Sequence, residues 1–426
     1  MMALQPGATL GHEFGGRCMD PILAEWGGLL LRWVHIITGI AWIGSSFYFM
    51  HIDAAMRATP DIPTGKGGEA WEVHGGGFYH VRKYLVAPEK LPEELIWHKW
   101  ESYSTWVSGF FLLCWVYYLG SDLYLIDPAI RPLSALQAAG IGIGGLVLGW
   151  VVYNFLVSSK LAEQPVLLAT IGFAFIMAMA YFFQMMFSGR GALIHTGALM
   201  ATIMTGNVAM NIIPNQRKVI ADLVAGRTPD PSLGKQAKMR STHNNYLTLP
   251  VLFLMISGHY PLTFTSPYAW VIVGLVLIAG ALVRYFYNQR HAGIGNKWWT
   301  WLVAALALLA AVFVSMLSNP IGRARLGLAA IEMPAAVASV HVPADVNDVI
   351  TSRCSMCHAA EPVWASLASA PKGILLDSPD QIARNRHLIM EQAVMTHAMP
   401  PNNITEITAQ ERQLLAEWLG IRLARR

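Results

Sequence analysis

The sequence predicts an all-α protein with two parts, a bundle of about eight transmembrane helices and a small soluble domain at the C-terminal end. Hydrophobic residues make up 54% of the 426-residue chain and charged residues only 13%, whereas a soluble domain averages about 25% charged residues. The apolar residues are concentrated in the first three quarters of the chain, in stretches near the ~20 residues that cross a bilayer core. Most of this protein is therefore expected to lie in a lipid bilayer.

The predicted membrane domain covers residues 24–318 and follows an N-terminal segment, residues 1–23. Its sixth span is the weakest, because two prolines and a glycine interrupt it. An Ala- and Pro-rich linker, residues 319–345, leads to the C-terminal domain, residues 346–426, and no internal repeat is present. The predicted spans are 24–50, 102–122, 136–158, 166–188, 191–213, 246–262, 268–288 and 298–318.

The lysines and arginines between the spans predict the orientation of the bundle. The loops after the odd-numbered spans hold sixteen of them, and the segments on the opposite side hold six up to residue 340. Positive loops stay in the cytoplasm, so we expect a multi-pass protein of the bacterial inner membrane with both termini in the periplasm. The first span is expected to insert the chain without a cleavable signal peptide. The net charge of +4 mostly reflects this loop asymmetry and gives no evidence for nucleic-acid binding.

The C-terminal domain carries a Cys-x-x-Cys-His motif at residues 354–358. This motif is typical of covalent haem c attachment: the thiols of Cys354 and Cys357 each bond one vinyl group, and the imidazole of His358 reaches the iron. A chance match, half of a zinc site and a redox disulfide are the alternatives. A zinc site needs a second pair of ligands, whereas the remaining cysteines, Cys18 and Cys114, are isolated in the sequence.

A low-spin haem needs a sixth ligand, and a methionine thioether is the usual one that raises the potential. Met399 lies 41 residues after His358, in a loop followed by two prolines, a separation typical of a small class I cytochrome c. Met390 and Met395 are rival ligands, but they fall inside a helical pattern. Predicted helices at 346–353, 379–396 and 408–423, the last opened by a capping-box spacing, complete this domain.

Ionisable side chains inside membrane spans are costly and are functional candidates by default. Six histidines lie within spans or at their ends, at two depths, and each could also be a satisfied interfacial residue. Four of them are possible ligands of haem b or of another metal in the membrane domain: His35, His51, His195 and His259.

Two large loops on the predicted cytoplasmic side are rich in aromatic and polar residues, so they are expected to pack rather than to act as flexible linkers. Within the first, a His-Gly-Gly-Gly run at 74–77 permits a close approach of the backbone to a ligand or to another element. The second ends in a polar cluster that could bind a planar polar substrate or cap the sixth span. The candidate catalytic residues of these loops are His74, His98, Glu101, His243 and Asn244.

The chain resembles the bacterial membrane-bound urate oxidases, also called urate hydroxylases, which join an eight-span membrane domain to a C-terminal cytochrome c. The resemblance covers residues 20–426. The segments that carry it are Trp33–Ile36, Gly39–Gly44, Trp71–Tyr79, Lys83–Pro88, Trp97–Gly109 and Thr242–Pro250.

This resemblance implies that urate is oxidised to 5-hydroxyisourate and that the electrons pass to the attached cytochrome, so no peroxide forms. A downstream cytochrome c or terminal oxidase would accept them. A histidine is expected to act as the general base for the attacking water, with amides orienting the purine. Two other functions stay open: a respiratory subunit that carries electrons from quinol or a partner enzyme to cytochrome c, and a transporter with a fused cytochrome.

A urate site near the cytoplasmic face would lie across a hydrocarbon core ~30 Å thick from a periplasmic haem. We therefore expect an intermediate carrier, and the absence of a cysteine set for an iron–sulfur cluster favours buried histidines that ligate haem b or a metal. A substrate pocket near the periplasmic side is the alternative that needs no such carrier.

Overall fold

The computed structural model describes residues 21–62, 67–84, 91–318, 322–323, 326–328, 341–364, 367 and 369–421. Residues 1–20 of the predicted N-terminal segment and most of the predicted linker lie outside these residues. The described chain is mostly helical, as the composition indicated. Helices of the first three quarters are α1 Pro21–Ala55, α2 Trp100–Leu113, α3 Ser121–Tyr124, α4 Ala135–Ser158, α5 Pro165–Met186, α6 Gly189–Asn207, α7 Ile213–Val224, α8 Pro231–Ser257, α9 Pro261–Phe264, α10 Ala269–His291 and α11 Trp299–Leu317.

Six helical segments in the described part of the chain are long and apolar enough to cross a membrane. They coincide with six of the eight predicted spans, and a π-helical turn, Val208–Ile212, joins α6 to α7. The other two predicted spans are also helical but do not combine the required length with the required hydropathy. One is α2, continued by the π-helical turn Cys114–Tyr118. The other is α8, which begins fifteen residues before the predicted start at 246.

The loop between α1 and α2 contains an antiparallel hairpin, which the all-α prediction did not include. Strands β1, Gly67–His74, and β2, Gly77–Tyr84, pair along their whole length. Gly75 and Gly76 form the two-residue connection with φ of 59° and 81°, a conformation that two-residue hairpin loops require and glycine adopts at no steric cost. A Cβ on either glycine would meet nothing within 4 Å. The glycine run therefore forms the hairpin turn, and Gly75 and Gly76 do not pack against another element.

Small residues let the helices of the bundle approach closely. Three glycines on one face of α4 pack against larger side chains: a Cβ on Gly142 would lie 2.6 Å from Nε2 of His195, and a Cβ on Gly145 would lie 2.6 Å from the Phe183 ring. The third, Gly149, would be equally close to Leu199. Close packing at small residues is the usual way in which helices associate without water. α4 is thereby held against α5 and α6.

The C-terminal part of the chain packs around its own hydrophobic core, which is drawn from residues 342–421. Its main helices are Ala344–Arg353, Pro379–Arg384 and Ala409–Trp418. The last begins with the predicted capping box, in which the Thr408 hydroxyl accepts from the Glu411 backbone N–H. The helix predicted over 379–396 is broken into shorter pieces that end in a π-helical turn, Met390–Met395.

This C-terminal body contacts one end of the helical bundle. The Asn402 amide donates to the Asp122 carbonyl at 3.3 Å, and Ala398 packs against the core of the bundle. Asp122 lies in α3, at the end of the second predicted span, and Ser188 at the start of α6 donates to the neighbouring Tyr124 carbonyl. The C-terminal body therefore sits at the end of the bundle where α2 stops and α6 starts.

Candidate functional site

A cavity of about 350 Å³ opens between the helices at the other end of the bundle. Its size is within the roughly 300–1,000 Å³ of small-molecule sites. Its wall is formed by the second half of α1, the segment before α2, the end of α6 with the π-helical turn that follows it, the start of α7 and the middle of α8. Aromatic rings of Trp42, Phe49 and Trp97 supply flat apolar surface, and the polar groups include Asp53, His98, Gln216, Ser241, Asn244 and Thr248. Flat rings beside amide and hydroxyl groups suit a planar polar ligand.

His98 reaches the cavity just before α2 begins and is oriented by Glu101 in the first turn of that helix. The distance from Nδ1 of His98 to Oε1 of Glu101 is 3.1 Å. A carboxylate can only accept, so Nδ1 carries the proton and Nε2 keeps a lone pair. The other carboxylate oxygen of Glu101, Oε2, is one of two buried side-chain atoms in the described structure that lack a hydrogen-bond partner. An imidazole held in this way is the arrangement of an oriented general base.

A buried polar network lies behind the cavity wall and joins α4, α6 and α8. The Asn207 amide nitrogen donates to the Tyr153 hydroxyl and to Oδ1 of Asn244, both at 2.9 Å. Asn244 in turn donates to the Met204 carbonyl at 2.9 Å. Asn207 is fully buried and Asn244 is 7% exposed. Because buried polar groups are costly unless they are paired, this network fixes the orientation of the amide that Asn244 presents at the cavity.

Arg240 anchors the network from α8. Its guanidinium donates to Oδ1 of Asn207 at 2.9 Å, to Oδ1 of Asn154 at 2.9 Å and to the Ser158 hydroxyl at 3.1 Å. The residue is 3% exposed. Within the described part of the chain, no carboxylate lies at salt-bridge distance from it. The site thus contains a buried positive charge that neutral groups surround.

The hairpin is tied to the rim of the cavity through Asp53. This α1 carboxylate pairs with Lys83 of β2 and, at 3.1 Å, with Lys238 of α8. Three elements that are distant in sequence therefore meet at one side chain. These ion pairs fix the position of the hairpin relative to α1 and α8. They add little to the free energy of unfolding, because partly exposed ion pairs contribute little.

The structure brings three of the five predicted catalytic residues to one place. His98 and Asn244 line the cavity, and Glu101 holds His98. His243 is adjacent in sequence, but its Nδ1 lies 2.9 Å from the Tyr153 hydroxyl, so it belongs to the network behind the wall. His74 is exposed at the end of β1, beside the hairpin turn, and is not among the residues that line the cavity.

The four histidines predicted as possible membrane ligands are not gathered into one site. The His35 Nδ1 lies 3.0 Å from the Thr105 carbonyl, and the His51 ring contacts His291 at 5.3 Å between centroids. His195 is fully buried with both nitrogens engaged, by the Gly191 carbonyl at 2.8 Å and the Tyr118 hydroxyl at 3.1 Å. His259 lies beyond the end of α8. No group of three or more His, Cys, Asp or Glu able to hold a metal ion occurs among the described residues.

The Cys-x-x-Cys-His residues have the arrangement that haem c attachment requires. Cys354 and Cys357 are free thiols; Cys354 precedes the single helical turn Ser355–His358, and Cys357 lies within it. The His358 Nδ1 lies 3.0 Å from the Ile374 carbonyl, so Nδ1 donates and Nε2 is left with its lone pair. A backbone acceptor of this kind fixes the tautomer of a metal-binding histidine. These three residues therefore fit haem c.

The loop that carries Met399 is held by Arg412. The guanidinium donates to the Met399 carbonyl at 2.9 Å and also to the Ala393 carbonyl. Burial lowers the pKa of Arg412 to about 10, which leaves it charged at neutral pH. The rival residues, Met390 and Met395, lie in the π-helical turn and pack against the hydrophobic core. Met399 is thus the methionine that the loop leaves outside a helix, as the sequence predicted.

Sequence reasoning missed several residues of the site. Asp53, Asn207 and Tyr153 were not predicted, whereas Arg240 begins the polar cluster, residues 240–246, that was expected to bind a planar polar substrate or to cap the sixth span. A signal for two of them was present, because a buried Asn and a Tyr hydroxyl inside apolar spans are unusual. Their partners lie on other helices, so periodicity within one helix could not show the contacts.

The fold and the site indicate a membrane enzyme. Its long apolar helices can cross a bilayer, and the oriented imidazole lies at an amide-lined cavity that suits a small polar ligand. Residues 21–315 match the family model described as urate oxidase N-terminal. The chain belongs to this family, which connects it with the enzymatic oxidation of urate. Searches of curated proteins and of solved structures found no match.

Proposed function

We propose that this protein is a membrane-bound urate oxidase that forms 5-hydroxyisourate and passes the electrons through haem c to the respiratory chain. The observation that carries the proposal is the His98–Glu101 pair at an amide-lined cavity, in a chain that belongs to a urate oxidase family. Urate is planar and rich in N–H and C=O groups. Trp42, Trp97 and Asn244 offer the matching surfaces.

The proposed reaction combines urate with one water and gives 5-hydroxyisourate, two electrons and two protons. A C–O bond forms between the water oxygen and C5 of the purine. Nε2 of His98 takes a proton from this water, and Glu101 stabilises the imidazolium that results. The Asn244 amide, fixed by Asn207, orients the purine edge. A positioned base of this kind contributes roughly 10²–10⁴-fold to the rate.

The cofactor that we propose for the C-terminal body is haem c, which Cys354 and Cys357 would hold covalently and whose iron His358 and Met399 would bind. When bound, haem c supplies one-electron redox chemistry, so that no peroxide forms. The contact between Asn402 and Asp122 would keep the loop of Met399 against the bundle. A downstream cytochrome c or terminal oxidase would accept the electrons.

We place the protein in the bacterial inner membrane, with the C-terminal body in the periplasm and the cavity toward the cytoplasm. The distribution of positive loops supports this orientation, and so does the position of the C-terminal body and the cavity at opposite ends of the bundle. Each assignment is testable by cysteine labelling from either side of the membrane.

The decisive experiment adds urate to the purified, oxidised protein without oxygen and follows the haem c absorbance. Reduction of the haem by urate, with 5-hydroxyisourate as the product, supports the proposal. A respiratory electron-transfer subunit would instead be reduced by a quinol and not by urate. Reduction by quinol alone would replace the proposed function with that one.

A further inference from the structure

We infer that the cavity binds its substrate as an anion and that Arg240 positions it, acting through Asn207 and Asn244. This inference rests on the proposed function and adds to it the charge state of the substrate and a residue that does not touch the substrate. Three observations support it: the charge of Arg240, the direction of the hydrogen bonds that link Arg240 to Asn244, and the position of Asn244 at the cavity.

The charge of Arg240 lacks a full counterpart in the described structure. Its partners Asn154, Ser158 and Asn207 are neutral. Two of them lie in the last turn of α4, whose carboxyl end carries about half a negative elementary charge. The rings of Trp150 and Tyr153 lie 6.0 and 5.8 Å from the guanidinium carbon and add a weaker attraction. A ligand with a negative charge, bound one layer away in the cavity, would complete the neutralisation.

The guanidinium also sets the direction of every hydrogen bond between itself and the cavity. Arg240 can only donate, so the atom of Asn207 that faces it must be the oxygen. The nitrogen of Asn207 then donates to Oδ1 of Asn244, and the Asn244 nitrogen donates to Met204. One N–H and one oxygen lone pair of Asn244 are left for a ligand. A planar purine edge that carries a carbonyl beside an N–H has the complementary pattern.

A second branch of the network leads from Asn207 to His243. The nitrogen of Asn207 also donates to the Tyr153 hydroxyl, whose oxygen lies 2.9 Å from Nδ1 of His243. His243 is thereby held in the network behind the cavity wall. In the anionic form of urate, one proton fewer has to leave during oxidation, and a single base, His98, is enough to take the proton of the attacking water.

The test measures binding and turnover separately. Equilibrium dialysis of urate against protein whose haem c has been reduced with dithionite gives a dissociation constant without turnover. Xanthine, measured at a mildly acidic pH where it is neutral and urate is an anion, provides a ligand of similar outline without the charge. The variants are Arg240→Gln and Arg240→Lys, with Arg227→Gln as the matched control, because Arg227 is an exposed partner of Asp222. Thermal unfolding and the haem spectrum report on folding.

Arg240→Gln should weaken urate binding roughly 30-fold, the scale of one charge interaction across a partly screened layer. Xanthine binding should change by less than about threefold, and Arg240→Lys should recover most of the urate affinity. An equal loss for urate and xanthine would overturn the inference and make Arg240 a structural residue only. If the unsubstituted protein binds no urate, the proposed function fails instead. If it binds urate and Arg240→Gln binds urate as tightly, only the inference fails.

Discussion

The hydrogen bond between His98 and Glu101 predicts how much turnover is lost when either residue is substituted. His98→Ala removes the proposed base, so turnover should fall by about 10²- to 10⁴-fold. Glu101→Gln keeps an oxygen that can accept from Nδ1 but removes the charge. The difference between a charged and a neutral hydrogen bond is about 1–1.5 kcal/mol, and each 1.4 kcal/mol is tenfold in rate. The expected loss for Glu101→Gln is therefore roughly 5- to 15-fold, well below that for His98→Ala.

The assay follows anaerobic reduction of haem c by urate in a stopped-flow instrument, with dithionite reduction as the measure of total haem. Two controls match the substitutions: His387→Ala removes an exposed histidine of the C-terminal body, and Glu94→Gln removes an exposed carboxylate before α2. Both controls should reduce at the unsubstituted rate. The haem c spectrum should be the same in all four variants, because none of the changed residues touches the Cys-x-x-Cys-His motif.

The loss of turnover should be larger for His98→Ala than for Glu101→Gln. Full activity of His98→Ala would place the base elsewhere and refute the assignment. A loss for Glu101→Gln as large as that for His98→Ala would mean that Glu101 itself reacts with the substrate or its water. Rescue of His98→Ala by added imidazole would strengthen the role of a base, since a small free base can replace the missing side chain.

Further predictions concern the two parts of the protein. Met399→Ala should leave haem covalently attached but convert the iron to a high-spin or water-ligated form, and an unchanged spectrum and potential would make Met390 or Met395 the ligand. The Thr408 backbone N–H, and then Arg353, hold the pKa of Glu411 below its usual range. Glu411→Gln should therefore cost about 1 kcal/mol at neutral pH, with the difference from the unsubstituted protein disappearing as pH falls through the depressed pKa; a constant difference at all pH values would contradict this cause. Metal analysis of purified protein should find more than one iron per chain, or copper, if a buried carrier exists, and one iron per chain, all as haem c, would remove that hypothesis.

Most of the helical fold could be predicted because apolar length alone determines where a helix can cross a bilayer. Six predicted spans coincide with helices of the required length and hydropathy. The start of α8 could not be found in this way, because its first half is polar and mostly exposed up to Arg240, the first buried residue of the helix. The hairpin was missed because its alternating pattern covers only eight residues a strand, and its glycine run was interpreted as permitting a close approach of the backbone to a ligand or to another element, not as a turn.

Part of the candidate site could be predicted from the sequence, namely the residues whose chemical type is unusual at their position in the chain. His98 and Asn244 stand out because ionisable and amide groups are rare near membrane spans. Glu101 could be predicted with His98 because it follows His98 by three residues, at the start of α2. Arg240, Asn207 and Tyr153 act through contacts between α4, α6 and α8. Such contacts depend on how the helices pack, which no pattern within a single helix encodes.

In the proposed function, the distance between the cavity and the C-terminal body that electrons would travel is shorter than a full bilayer core. Met204 lines the cavity on α6, and Gly189 begins that helix beside α3, which the C-terminal body contacts. Fifteen residues at 1.5 Å each make about 22 Å, compared with the ~30 Å of a full hydrocarbon core. His195 lies along this stretch, yet both of its nitrogens are engaged, whereas His35 donates through Nδ1 to a carbonyl and keeps the lone pair of Nε2. If metal analysis reveals a second iron, His35 is therefore the first ligand to substitute; with a single iron, the electrons of the proposed reaction would have to cross this distance without an intermediate carrier.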